Sequence, residues 1–375
     1  MMPSSSMNRR EFLKRMGVFG GGIIIGFNTL DRHAWARRPR TGFLDGGIPT
    51  DFNAFLRIGA DNRVALYTGK IEMGQGAMTS IPQLLAEELH VDYDAVDIVM
   101  GDTDLCPWDA GTFGSLSIRH FGVFLREAAG EARGVLMQLA AEQLKSPIGR
   151  LATQNGTVYD PSNPGRRISY GELTKGNIIE KHLKDVPPLK LSAEFETMGK
   201  SFPRRDALEK VTGAAKFSGD IRPPGMLYAK ILRPPAHGAK LVKADTDPAK
   251  NIDGIQIVKE GDFVAVLHEH PDVAEQGLAQ IKAQFDRPKT GVDDKTIFDH
   301  LLKSAPDPEI ASQGGNLKTG QKLASTVIEE TYLNSYVAHA PMEPHTAAAD
   351  FDGKKLTVWA STQTPFGLKS LSQSA

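Results

Sequence analysis

Lys70-Ile71-Glu72-Met73-Gly74-Gln75-Gly76-Ala77-Met78-Thr79 sets a glutamine amide between two glycines where a strand runs into a helix. Upstream, Asn62-Arg63-Val64-Ala65-Leu66-Tyr67-Thr68 alternates apolar and polar residues and reads as a half-buried strand. Downstream, Ile81, Leu84, Leu85 and Leu89 recur at helical spacing. Glycines lack a Cβ, so backbone N–H groups can approach a ligand, and a helix start adds partial positive charge. A phosphate or a polar heterocycle is therefore the expected guest, to which Gln75 would offer one donor and one acceptor. The alternative is a tight turn shaped by Gly74 and Gly76, with Gln75 facing water.

Outward from this turn, residues 51–176 read as one mixed α/β region. Its strand signals are Ala54–Ile58, Val64–Thr68 and Val96–Met100, and its helices lie near Ser80–Leu89 and Phe121–Leu144. Leu125, Ala128, Ala129, Ala132, Leu136, Leu139 and Ala140 form a small-residue stripe suited to close packing. Thr157–Tyr159 and Ile168–Tyr170 flank a Pro/Asn/Gly turn and predict a hairpin. A charged, proline-containing linker spans 177–203. A second, smaller α/β unit covers 204–290, with strands at Ile255–Val258 and Phe263–Leu267 and a helix over about Asp272–Gln284. Residues 291–323 connect it to a third segment, 324–375, with strand signals at Ser325–Tyr332 and Lys355–Ala360 and a polar tail from Gly367. The fold class is α+β, mixed α/β.

The chain has 375 residues, 40% of them hydrophobic, enough for two or more domains with sizeable cores. A net charge of −1 gives no general attraction to nucleic acid or to an anionic membrane. Cys106 is the single cysteine, which excludes an internal disulfide framework and any cysteine-ligated zinc or iron–sulfur centre within the chain. The N-terminus carries a twin-arginine pattern, Asn8-Arg9-Arg10-Glu11-Phe12-Leu13-Lys14, before a short apolar run, Val18–Phe27, and Ala34-Trp35-Ala36. Residues 1–36 are expected to be a twin-arginine leader to the periplasm, cleaved after Ala36 or kept as an anchor, followed by a linker at 37–50.

Three further stretches offer ligand chemistry. Asp109-Ala110-Gly111-Thr112-Phe113-Gly114-Ser115-Leu116-Ser117-Ile118-Arg119 enters the long helix through hydroxyls and N–H groups that could bind phosphate or a pterin-like ring, or simply cap the helix. His339-Ala340-Pro341-Met342-Glu343-Pro344-His345 holds two histidines and a carboxylate, but its prolines disfavour an aligning helix and no third ligand is evident, so a polar turn is favoured over metal. Val358-Trp359-Ala360-Ser361-Thr362-Gln363-Thr364-Pro365 ends a strand in hydroxyls and an amide, where Gln363 either meets a ligand oxygen or serves an ordinary turn.

Glu72–Gly76, Gly111–Ser115, Val211–Asp220 with Leu227–Lys240, and His339–Ala347 with Val358–Pro365, taken in this order, resemble the molybdenum-binding subunit of the xanthine dehydrogenase/aldehyde oxidase superfamily. More narrowly, they resemble the isoquinoline 1-oxidoreductase β-subunit group, over nearly all of residues 51–366. The resemblance implies the large-subunit fold, with an α/β hammerhead domain at 204–290 and a molybdopterin-binding domain starting at 324–375. It implies that Gly74, Gln75 and Gly76 line a pterin cofactor and that Thr112, Phe113, Gly114 and Ser115 cradle its dinucleotide end. Gln363 would hydrogen-bond an oxo ligand of molybdenum. The implied cofactor is molybdenum-molybdopterin in its cytosine dinucleotide form, held by the pterin dithiolene, so no protein metal ligand is required. The implied activity hydroxylates an N-heteroaromatic or aldehyde substrate with oxygen from water. The partners are then a small-molecule substrate, a separate [2Fe–2S] subunit and a candidate cytochrome c acceptor.

The departure from the family lies beyond Pro365. The family continues to a GGGFG-type loop and a glutamate acting as general base, and neither follows here. Glu72 and Glu343 are the carboxylates inside matching motifs, and neither suits that role. The chain is expected to be truncated at its C-terminus and inactive alone, its missing half supplied as a separate chain. The alternative is a non-catalytic exported scaffold that keeps part of the fold.

Overall fold

The computed structural model describes residues 22–28, 53–174, 187–289, 291–310, 312–334 and 336–374. The twin-arginine motif and the cleavage site lie outside them. The chain forms two compact units, the first ending at Lys216 and resuming at Ala360, the second spanning Phe217–Trp359. Mixed helix and strand run through both, as the sequence predicts. Among the described residues no helix is long and apolar enough to cross a membrane.

The first unit is built on a four-stranded sheet of β1 (Gly22–Asn28), β2 (Asn53–Gly59), β3 (Val64–Thr68) and β4 (Val96–Met100), in that order. Gly22–Asn28 falls in the expected leader yet runs antiparallel to β2, in keeping with three successive β-branched isoleucines at Ile23–Ile25. β2 and β3 are antiparallel, and β3 and β4 are parallel. The parallel pair needs a crossover, supplied by α1 (Ala77–Leu89). Ile81, Leu84, Leu85 and Leu89 are buried against Leu56, Leu66 and Val96. α2 (Gly122–Leu144) buries most of its predicted stripe, and a Cβ at Gly122 would stand 2.8 Å from Leu84 Cδ1. A side chain at Gly122 would crowd Leu84 on the facing helix.

Glu87 and Glu88 at the end of α1 are both buried. Glu87 accepts Lys190 Nζ at 2.6 Å and the N–H groups of Glu196, Thr197 and Met198 at 3.0, 2.7 and 2.9 Å. Burial raises its pKa, but the lysine and three amides outweigh that and hold it below the usual carboxylate range. Residues 187–203, expected to be part of a linker, are therefore strapped to α1. β6 (Thr157–Asp160) and β7 (Asn163–Ser169) form the predicted hairpin, and β5 (Ala152–Gln154) joins it.

In the second unit, β8 (Tyr228–Ile231), β10 (Gln256–Glu260) and β11 (Phe263–His268) form one antiparallel sheet. The helix predicted over about Asp272–Gln284 is α3 (Pro271–Gln280), which stops short of that range. Lys282–Asp286 is instead strand β12, paired with β9 (Lys240–Asp245), because Ala283 and Phe285 alternate onto the sheet face. Ser325–Tyr332, predicted as a strand, is irregular, with Ile328 82% and Tyr332 89% exposed. Strand propensity without a partner strand leaves backbone groups unpaired. Back in the first unit, Gly367 onward is also no tail: Pro365–Ser374 is a helix, α4, with Phe366 buried and Lys369 Nζ on Thr103 O at 3.0 Å.

His90, which ends α1, bonds Thr153 Oγ1 through Nδ1 at 2.6 Å, and its Nε2 is buried with no partner among the described residues. Burial first, then the charges of Arg133 and Lys190, lower its pKa to about 4. The unfolded chain therefore binds the proton first as pH falls, so this residue costs stability from about pH 6.5 down toward that value. His120 is shifted the same way by burial, Lys70 and Arg119. We expect the urea midpoint to fall between about pH 6.5 and 5, above the ordinary carboxylate range. His90→Gln should flatten that slope, and an unchanged slope would contradict the assignment.

Candidate functional site

Three stretches far apart in sequence converge in the first unit. The turn after β3 touches the loop before α2 through Ile71 N–H, which donates to Thr112 Oγ1 at 3.0 Å. Thr112 N–H in turn donates to Gln363 O at 2.9 Å, which brings in the strand end before α4. Beneath these contacts lies Lys70, fully buried, with Nζ on Asp109 Oδ1 at 2.8 Å and on Gly111 O at 2.7 Å. Burial lowers the Lys70 pKa to about 8, partly offset by the Asp109 carboxylate, which is itself 1% exposed. Removing one partner of such a pair leaves a buried charge and costs about 3–5 kcal/mol.

Glycines let the pieces close. A Cβ on Gly69 would stand 2.3 Å from Asp109 Cβ and 3.0 Å from Phe366 Cε2. Gly111, at φ +130°, would press a Cβ to 2.8 Å from Gln363 O and 2.7 Å from Thr364 Cγ2. Thr112 is consequently a buried joint, with both its N–H and its hydroxyl engaged in holding the segments together.

The turn satisfies its own donors. Glu72 Oε1 accepts the N–H groups of Gly74 and Gly76 at 2.7 and 3.0 Å, and Oε2 accepts that of Met78 at 2.9 Å. The anion expected at the start of α1 is thus the chain's own carboxylate. Gln75 is exposed, with Oε1 accepting Met73 N–H at 2.6 Å and Nε2 donating to Ile71 O at 2.9 Å. Glu72 is fully committed and is not placed as a general base. Glu343, His339 and His345 lie exposed in irregular chain of the second unit. No group of three or more His, Cys, Asp or Glu that could hold a metal occurs among the described residues.

Gly114 and Ser115 remain open to a ligand. Both are exposed and left-handed, at φ +60° and +56°, and neither N–H has an intramolecular partner among the described residues. The Gln363 side chain is exposed while its carbonyl is held, and Phe113 is half-buried beside Gly111. Exposed N–H groups, a hydroxyl and the Gln363 carboxamide fit a group rich in phosphate oxygens and ring nitrogens. Lys70 and Asp109 escaped the sequence reading, their one signal being a lysine at the inner end of an apolar strand. Arg204, whose Nη1 donates to Gly74 O at 2.8 Å, left none.

The profile of the molybdopterin cofactor-binding domain matches residues 12–216, and a second such profile matches 302–375. A nicotinate dehydrogenase subunit of Pseudomonas putida is 32% identical over 327 residues, 84% of this chain and 27% of its own length. The beta subunit of isoquinoline 1-oxidoreductase from Brevundimonas diminuta is 31% identical over 291 residues, 67% of this chain and 36% of its own length. The chain therefore spans 27% and 36% of these two relatives. Among solved structures, CO dehydrogenase from Oligotropha carboxidovorans aligns at 28% identity and a TM-score of 0.30, over 32% of this chain and 15% of that one.

We expect Gly111→Ala to lower the stability of the first unit by about 2–3 kcal/mol through strain and collision. It should also make α4 sensitive to limited proteolysis. Wild-type urea midpoint and wild-type digestion would contradict the joint.

Proposed function

The chain belongs to the molybdopterin-binding subunits of the xanthine dehydrogenase family, and on that premise we propose that it serves a molybdenum hydroxylase. The proposed reaction is hydroxylation of an N-heteroaromatic or aldehyde substrate with oxygen from water. The names of the two relatives, nicotinate dehydrogenase and isoquinoline 1-oxidoreductase, favour the heteroaromatic class. The observation that carries the reading is the convergence of Ile71, Thr112 and Gln363 into one hydrogen-bonded joint, with Gln75, Gly114, Ser115 and the Gln363 side chain left at the surface.

In this reading Gly114 and Ser115 hold the dinucleotide phosphates, with the cytosine form as the proposed cofactor. Gln75 and Gln363 orient the pterin end. When bound, the molybdenum cofactor supplies the oxygen and electron transfer. The chain's own part is to bind and orient through backbone and carboxamide donors. Its single cysteine leaves [2Fe–2S] clusters to a separate subunit, with a cytochrome c as a further acceptor. Residues 204–290 are proposed as the hammerhead domain, and the twin-arginine pattern supports export of the folded, loaded protein to the periplasm.

The test is expression from the native genomic context, with neighbouring reading frames, followed by molybdenum and pterin analysis of the purified protein. Stoichiometric molybdenum with a cytosine-containing pterin is expected. A protein that carries neither defeats the enzyme reading and leaves an exported scaffold.

A further inference from the structure

Among the N–H groups of residues 74–78, those of Gln75 and Ala77 are not taken by Glu72. The N–H groups of Gly74, Gly76 and Met78 all point at Glu72, whereas the Gln75 N–H has no partner among the described residues. A trans peptide directs its N–H away from its C=O, so whatever holds the Gly74 carbonyl also aims the Gln75 N–H. That holder is Arg204, with Nη1 at 2.8 Å from Gly74 O and Nη2 at 3.5 Å from Glu72 Oε1. Gly74 sits at φ +100° with nothing within 4 Å of where a Cβ would stand, so the space beside this peptide is open.

Arg204 is held from behind. Its Nε and Nη2 donate to Asp206 at 3.0 and 2.8 Å. The next residue is packed on the first unit: Arg205 donates to Tyr93 OH at 2.9 Å, to Val96 O at 2.7 Å and to Tyr93 O at 2.9 Å, and lies 4.3 Å from the centre of the Tyr93 ring. An anchored guanidinium therefore grips the Gly74 carbonyl.

We propose that Arg204 is a positioning residue that sets the plane of the Gly74–Gln75 peptide, so that the Gln75 backbone N–H is presented to the pterin cofactor as a hydrogen-bond donor. This rests on the reading of the turn as a cofactor rim. It assigns the contact to the backbone of Gln75, whose carboxamide is engaged with Met73 and Ile71. Arg204 acts through Gly74 and meets no reacting group.

The experiment compares the full chain, expressed in its genomic context, as wild type, Arg204→Met and Arg204→Lys. Pterin and molybdenum content is measured per chain. Amide exchange of peptides covering residues 72–78 and 122–144 is followed by mass spectrometry. Loss of a charge-assisted hydrogen bond should lower retained cofactor about tenfold in Arg204→Met. Exchange should rise at 72–78 while 122–144 stays protected, and Arg204→Lys, which restores a cation, should recover most of both. Wild-type content and exchange in Arg204→Met would overturn the proposal, as would loss of protection across both peptides without rescue by lysine. If Arg204→Met does not fold, Gly74→Ala turns the same peptide from within, since φ +100° is strained for alanine although the space is open. A comparable loss is then expected, and wild-type content there would overturn the proposal. If the wild type carries no pterin the functional reading fails, and exchange at 72–78 still decides whether Arg204 sets the turn.

Discussion

The buried ion pair between Lys70 and Asp109 is the constraint on which the candidate site depends. It closes the end of β3 onto the loop before α2, and the same ammonium also holds Gly111 O. Gly111 must then pass beside Gln363 and Thr364, which brings the strand end and α4 into place. Without the pair, the turn and the loop would be linked mainly through Ile71 and Thr112. A buried charge is costly unless matched, so this pair selects one arrangement of the three segments.

A glycine turn at a helix start is commonly read as an anion site. Here Glu72 already occupies it, accepting three N–H groups within the turn. The turn is preorganised by its own carboxylate, which leaves the donors of Gln75, Gly114 and Ser115 facing outward. Rigid rims with few free donors suit a cofactor that brings its own chemistry.

The core of the first unit was legible because burial follows period. Leu66 in β3 and Ile81, Leu85 and Leu89 in α1 alternate or recur as their elements demand, and the small-residue stripe of α2 announced a close helix contact. The order of the motifs also pointed to the family. What escaped the sequence was long-range. Pro365–Ser374 has few apolar residues, and it is held as a helix by docking Phe366 beside Gly69 and Lys369 on Thr103. Ser325–Tyr332 has strand propensity but no partner strand among the described residues. Lys70 and Asp109 lie 39 positions apart, a separation that leaves no periodic trace.

A double-mutant cycle on Lys70→Met and Asp109→Leu, read by urea unfolding of the full chain, measures how strongly the buried pair holds the three segments together. Each single variant should lose about 3–5 kcal/mol, because it strands a charge in the interior, and the double variant should lose far less than their sum. Near-neutral single variants, or strictly additive losses, would contradict a site assembled around this pair.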